Sequence, residues 1–457
     1  MAAAPVTLEA KDIQGLLASG YGRLRSAVYL MYQVTDAAAA RDWLGGTLAP
    51  ALTNAAAPVT TVATNVAVSA SGLERLGVAQ ADLSTFPAEF IEGMASPHRS
   101  RMLGDVGASA PRHWRWGGRR QRVDLLLMLF ALDAAGLDRH RKPLTPASGA
   151  GLSQVVELGT FDLGDHEPFG FRDGISQPAV EGLGSTTKAA LPRDLVQPGE
   201  FVLGYPNEYA TLPPSPSVAG SPDFGRNGSF LVFRQLHQDV AGFWNFAARE
   251  AAAAGLASPE QLAARMVGRW PGGAPLVRSP EEDTAELATF NDFAYHHVDA
   301  TGLRCPIGAH VRRANPRDSL DPRPGSQQAV ALVRRHRILR RGREYGPALG
   351  DPTTGPRPPL TDDGQDRGLH FICLNANLVR QFEFVQGTWV ASPKFAGLYD
   401  DADPLLGVHE PVGGTFTIPG TPFRHRLQGL PRFVTVVGGE YFFLPGILGV
   451  KRLGELT

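Results

Sequence analysis

The run AVYLMYQV at Ala27–Val34, with alanine-rich Ala37–Leu44 behind it, decides the fold class. It is short, apolar and rich in aromatic and aliphatic side chains, so it reads as a strand followed by a helix. The same order recurs. NVAVS (Asn65–Ser69) is a strand before a helix at Gly72–Leu76, and LLLMLFAL (Leu125–Leu132) is a third strand, short and bounded by polar residues. In the second half FLVFRQL (Phe230–Leu236) precedes a helix over Val240–Ala254, and HFICLN (His370–Asn375) precedes one over Leu378–Gln386. Arg432–Val437 and Glu440–Leu444 predict a hairpin that turns at Gly438-Gly439. Mixed short strands with helices on one face predict an α+β fold rather than a doubly wound parallel sheet. No solenoid period of about 20–50 residues is present. Residues 205–228 are rich in Pro, Ser and Gly, which disfavour regular structure. They suggest a boundary between an N-terminal domain, 1–210, and a C-terminal one, 211–457. Pro347–Pro359 reads as an exposed insertion.

A chain of 457 residues can bury a large core, and 43% hydrophobic with 19% charged residues is ordinary for a globular protein. Lys and Arg total 44 against 45 Asp and Glu, a net charge of -1, so no global field attracts nucleic acid or anionic membrane. Two cysteines, Cys305 and Cys373, are too few for a disulfide framework. The N-terminus lacks a basic stretch followed by an apolar one and has no twin-Arg pair, and no apolar run is long enough to span a bilayer. The expectation is a cytoplasmic protein.

Three segments carry chemistry. GFRDGISQP (Gly170–Pro178) sets Asp173 between an Arg and a Gly, with glycines that permit close approach to a flat ligand. Alone, an Asp next to a Gly is more often a turn residue. CPIGAHVRRANPRD (Cys305–Asp318) places His310 among Arg312, Arg313 and Arg317. A neutral imidazole can ligate iron, and guanidinium groups can hold acidic substituents by paired hydrogen bonds. A solvated basic face is the alternative. HRILRRGREYG (His336–Gly346) contributes Arg340, Arg341 and Tyr345. Such an arginine can stabilise an oxyanion, or it can belong to a surface hairpin.

Together these segments resemble the dye-decolourising peroxidases. GxxDG at Gly170–Gly174, CPxGAHxRRxNPR at Cys305–Arg317 and RxGxxYG at Arg340–Gly346 occur in the family's order. GLHFICLNANLVRQFEFVQGTW (Gly368–Trp389), DPLLG (Asp403–Gly407), LPRFVTVVGGEYFFLPG (Leu430–Gly446) and DIQGLLASGYG (Asp12–Gly22) resemble its remaining blocks. The resemblance runs from about residue 12 to the C-terminus. It implies two ferredoxin-like α+β domains in a dimeric α+β barrel-like architecture, with one haem b in the C-terminal domain.

It also implies roles. His310 would hold the iron, with Asp403 as carboxylate partner of its other ring nitrogen and Glu383 as the alternative. Asp173 would relay a proton between the two peroxide oxygens, and Arg340 would stabilise the departing negative charge. Leu369 and Phe371 would line a narrow distal pocket, Arg317 would meet a propionate, and Arg312 or Arg313 would assist. Cys305 reads as a small buried residue. Large dyes would not fit and would be oxidised through surface residues, with Tyr345 the foremost candidate and Trp389 and Trp116 further stations. The Arg-rich stretch His98–Arg122 reads as a solvated loop. Hydrogen peroxide and an aromatic or dye reductant are the implied partners; homo-oligomerisation or an encapsulating shell protein is left open.

Other classes remain to be separated. The Asp173–Arg340 pair argues for a peroxidase over another haem enzyme on the same fold, and a haem carrier or sensor would need no distal acid. A non-haem metal site built on His296, His297 and His310 is disfavoured, since adjacent histidines on a strand face opposite sides.

Overall fold

The computed structural model describes residues 7–118, 121–184, 190–218, 221, 223–350 and 358–456. Its strands are β1 (Ser26–Val34), β2 (Val62–Val68), β3 (Leu125–Ala131), β4 (Leu152–Gly159), β5 (Ala179–Val180), β6 (Leu195–Val196) and β7 (Ser229–Gln238). There follow β8 (Leu339–Arg340), β9 (Arg343–Tyr345), β10 (Gly368–Asn375), β11 (Gly414–Ile418), β12 (His425–Leu430) and β13 (Val434–Leu444). Nine of them form one sheet in the order β4-β1-β3-β2-β13-β7-β10-β8, with β9 also on β10. Every pairing within it is antiparallel.

The order contains the same arrangement twice. In the first half the strands run 4-1-3-2. In the second, taking β7, then β8 with β9, then β10 and β13 as the four positions, the order is again fourth-first-third-second. The chain therefore has the α+β class expected, with two ferredoxin-like sheets. They join edge to edge where Phe443 of β13 faces Val68 of β2.

Strand periodicity sorts the side chains into two cores. Val28, Leu30 and Tyr32 of β1 join Leu125, Leu127 and Leu129 of β3 in the core that holds the helices. Tyr29, Met31, Met128 and Phe130 point the other way and pack with Phe233, Ile372 and Phe442. The sheet curls around this second cluster. Tyr29 of β1 meets His370 of β10 edge to face at 5.5 Å, although four other strands and the seam separate β1 from β10 in the order. Phe161, just past β4, donates its N–H to Glu344 O of β9 at 2.9 Å. The result is barrel-like, but no ladder closes it among the described residues.

Two expectations change. The hairpin at 432–444 does not exist: β13 is one strand paired with β7 from Val434–Gln238 to Leu444–Ser229, with a bulge between Val436 and Gly438. The two glycines serve close approach. A Cβ on Gly438 would run into the Trp116 indole, and Arg115 N–H donates to Val437 O at 2.7 Å. The helix expected over Leu378–Gln386 is instead π-wound at Val379–Glu383 and Val385–Val390, a form common at functional sites. Part of the insertion at Pro347–Pro359, and Arg119 and Arg120, lie outside the described residues.

Candidate active site

His310 opens the short helix His310–Ala314, after the turn that Pro306 begins. Its Nδ1 is 2.9 Å from Asp403 Oδ2. Asp403 is wholly buried, and its Oδ1 accepts the N–H groups of Leu405 and Leu406, each at 2.9 Å. Burial raises the Asp403 carboxyl pKa, yet the His310 imidazole beside it, helped by Arg313, holds it below its ordinary value. Burial lowers the His310 pKa, and the Asp403 charge and hydrogen bond more than reverse that. This fixes the imidazole with Nδ1 toward the carboxylate and Nε2 toward a cavity that His310 lines. Glu383, the alternative partner, is elsewhere: it accepts from Arg99 Nη1 and Tyr441 Oη, each at 2.8 Å.

The cavity lies between one face of the sheet and the helices. Leu236, Leu369, Phe371 and Val434 come from the strands, and Phe382 and Val385 from the π-wound segment. Asp173 and Arg340 line the same cavity, with Arg340 Nη1 3.0 Å from Asp173 Oδ1. Burial pushes the Asp173 carboxyl up, but the Arg340 charge and the Gly174 N–H outweigh it and keep the pKa below its ordinary value. Arg340 is held in turn, its Nη2 donating to Ser176 O and its N–H to Gln177 Oε1.

Arg317 lines the cavity, turned by a left-handed backbone (φ 56°), and donates to Asn291 O and Phe293 O. Arg312 does not reach it. Its guanidinium is spent on Asp299, on the Asp299 carbonyl and on Cys305 O, so the cofactor contact expected of it is corrected to a scaffold role. Arg313 likewise staples Gly308, Trp389, Ser392 and Asp401 carbonyls around the His310 loop. Cys305 is buried and its thiol is pushed up to about 12 by burial, an inert core residue as read. Tyr345 is not a surface residue: it is 6% exposed, stacked on His370 at 4.6 Å. Trp389 and Trp116 are interior too. His296 and His297 lie on a short helix, not a strand, and no metal-holding group of His, Cys, Asp and Glu occurs among the described residues.

Among the charged residues that line the cavity, Glu167, Arg269 and Arg337 escaped the sequence reading. Arg337 precedes Arg340 by three positions in the same Arg-rich run, a signal that was present but not separable from its neighbours. Arg269 and Glu167 had none.

No family model matches the chain. Two proteins of Mycetinis scorodonius are similar along nearly its whole length. Peroxidase 2 is 30% identical over 99% of this chain and 88% of its own, and the dye-decolorizing peroxidase msp1 is 30% identical over 98% and 88%. A crystal structure of AauDyP complexed with imidazole superposes with a TM-score of 0.81 at 28% identity, over 98% of this chain and 100% of that one. The chain belongs to the dye-decolourising peroxidase family. It is a peroxidase, an oxidoreductase, and the fold is that of other dye-decolourising peroxidases. No helix among the described residues is long and apolar enough to cross a membrane.

Proposed function

We propose that this peroxidase carries one haem b in the cavity on His310 and uses hydrogen peroxide to oxidise dyes, phenols or similar one-electron donors. The observation behind this reading is that the His310–Asp403 and Asp173–Arg340 pairs serve one apolar cavity. The lining suits a flat apolar group with acidic substituents. Its walls are aliphatic and aromatic, and Arg269, Arg317 and Arg337 line it together. Burial lowers the pKa of all three, to about 10 for Arg269. Asp194 pairs with Arg337 at 3.1 Å, which leaves three clustered guanidinium groups with one carboxylate, an excess of positive charge that suits an anion.

His310 would hold the iron through Nε2, which has no hydrogen-bond partner among the described residues. Asp403 would give the ligand anionic character by its grip on Nδ1. When bound, haem supplies a redox centre able to pass two electrons to peroxide and regain them singly from a donor. Asp173, ionised at any ordinary pH, takes the proton of one hydrogen peroxide oxygen and returns it to the other, which leaves as water. Arg340 donates hydrogen bonds to the leaving oxygen as negative charge gathers there. Leu369 and Phe371 keep that space narrow. A donor too large to enter would pass electrons through side chains. Tyr345, whose hydroxyl donates to the carbonyl of cavity-lining Leu236 at 3.4 Å, serves as an interior relay.

The test is an absorption spectrum of protein made with haem supplied, then stopped-flow mixing with hydrogen peroxide. A Soret band and fast reaction are expected, with Asp173→Asn and Arg340→Leu keeping the band and losing the speed. Absence of the band, or a variant as fast as the wild type, would remove the cofactor or that residue from the reading.

A further inference from the structure

The loop that carries Asp173 folds back on itself. Asp173 N–H donates to Asp165 O at 2.9 Å, Glu167 N–H to Phe171 O at 3.0 Å, and Gly170 N–H to Glu167 O at 2.7 Å. Gly170 takes φ 91°, which closes the turn. The N–H groups of Phe169 and Phe171 point into the loop, where no backbone carbonyl receives them. The Glu167 side chain does: Oε2 accepts from Phe169 at 3.1 Å and Oε1 from Phe171 at 3.0 Å. Oε2 also accepts from Gln238 Nε2 at 2.7 Å, and Gln238 ends β7. One carboxyl group thus ties the turn to itself and to the sheet. Trp244 of the helix Val240–Glu250 adds a second anchor, donating its indole N–H to Phe169 O at 2.9 Å.

Glu167 also lines the cavity, and burial pushes its carboxyl up to about 7 against the pull of those three donors. A carboxyl half-withdrawn from water is costly, so its retention asks for a reason. A carboxylate accepts on both oxygens, whereas an amide of the same shape has one acceptor and would set an NH2 against an N–H. We propose that Glu167 is the positioning residue for Asp173: its two oxygens fix the 167–171 turn against β7 and so aim the Asp173 carboxylate. The inference rests on the peroxide reading of the site.

In the haem-loaded protein, Glu167→Gln should keep the Soret band and the KM for a small dye, and lower the second-order rate with hydrogen peroxide roughly ten-fold or more. Added to Asp173→Asn, it should cost less than about two-fold further, because it acts only through Asp173. Amide exchange measured without haem should quicken at residues 169–174 and stay unchanged in β7. Should Glu167→Gln fail to accumulate, Gln238→Met, which removes one of the three donors, should shift rate and exchange in the same direction. A peroxide rate within about two-fold of wild type, or a full multiplicative loss on top of Asp173→Asn, overturns the proposal. An Asp173→Asn protein that itself reacts at the wild-type rate instead overturns the peroxide reading, whatever Glu167→Gln does.

Discussion

On the proposed reading Asp173 accepts a proton, so its useful form is the carboxylate. With the pKa below the ordinary value, that form persists as pH falls and is lost only once pH drops through the depressed value. Asp173 itself should therefore impose no decline on the rate with hydrogen peroxide at or above about pH 4, and a decline nearer neutral pH belongs to Glu167, whose carboxyl is pushed up to about 7. Arg340 is the largest influence holding the pKa down, so Arg340→Leu should move the acid limb upward as well as slow the reaction. A pH series of stopped-flow traces separates the two effects; a limb that stays in place would mean the pair is not coupled in solution. On the His310 side of the cavity, Asp403→Asn should retain haem, make reduction of the iron easier and slow the peroxide step about 10–100-fold. Potentiometric titration reads the first effect, and an unmoved potential would dismiss the carboxylate's electronic role. The family resemblance puts Asp403 first as this partner, but sequence distance cannot decide it, since Asp403 lies 93 residues from His310 and Glu383 lies nearer in the chain. Only the packing that commits Glu383 to Arg99 and Tyr441 decides between them.

At the scale of the element, strands were legible where both faces are buried. β1 and β3 are nearly all apolar because each face meets a core, and their bounds fall within a few residues of the pattern. Gly438-Gly439 misled because a glycine pair within β-forming residues signals a turn only when nothing else needs the space. Here the segment at Trp116 lies against the strand, and local sequence holds no trace of a contact made from more than 300 residues away. Trp116 also spends its indole N–H on Gln235 of β7, at 2.8 Å. Gly438→Ala should thus disturb both the bulge and the indole, at a cost of about 1–3 kcal/mol as for other overpacked sites. Thermal unfolding monitored by circular dichroism measures this. A variant as stable as the wild type would show that the segment at Trp116 yields freely. Glu167 and Arg269 were illegible for the same reason as the contact at Gly438: their meaning comes from a cavity assembled out of distant elements.

Across the whole molecule, the two ferredoxin-like sheets share more than a linker. β13, from the C-terminal end of the chain, lies between β2 and β7 and carries the seam at Phe443 and Val68. Around it, Phe443 packs against Phe86, Phe224 and Phe230 with ring centroids 5.5–5.7 Å apart, so residues from both halves are buried in one cluster. The loop bearing Asp173 precedes β7, whereas His310 and Arg340 follow it, so the cavity needs both halves in place. Separate melting of the halves would expose this shared aromatic surface, which couples their unfolding. We therefore expect a single cooperative thermal transition, with far-ultraviolet signal and haem release coinciding. Phe443→Ala, which leaves a cavity in that cluster, should lower stability by about 3–5 kcal/mol and shift both signals together. Calorimetry of wild type and variant gives the answer. Two resolved transitions, of which Phe443→Ala displaces only one, would mean that the seam joins the halves without coupling them.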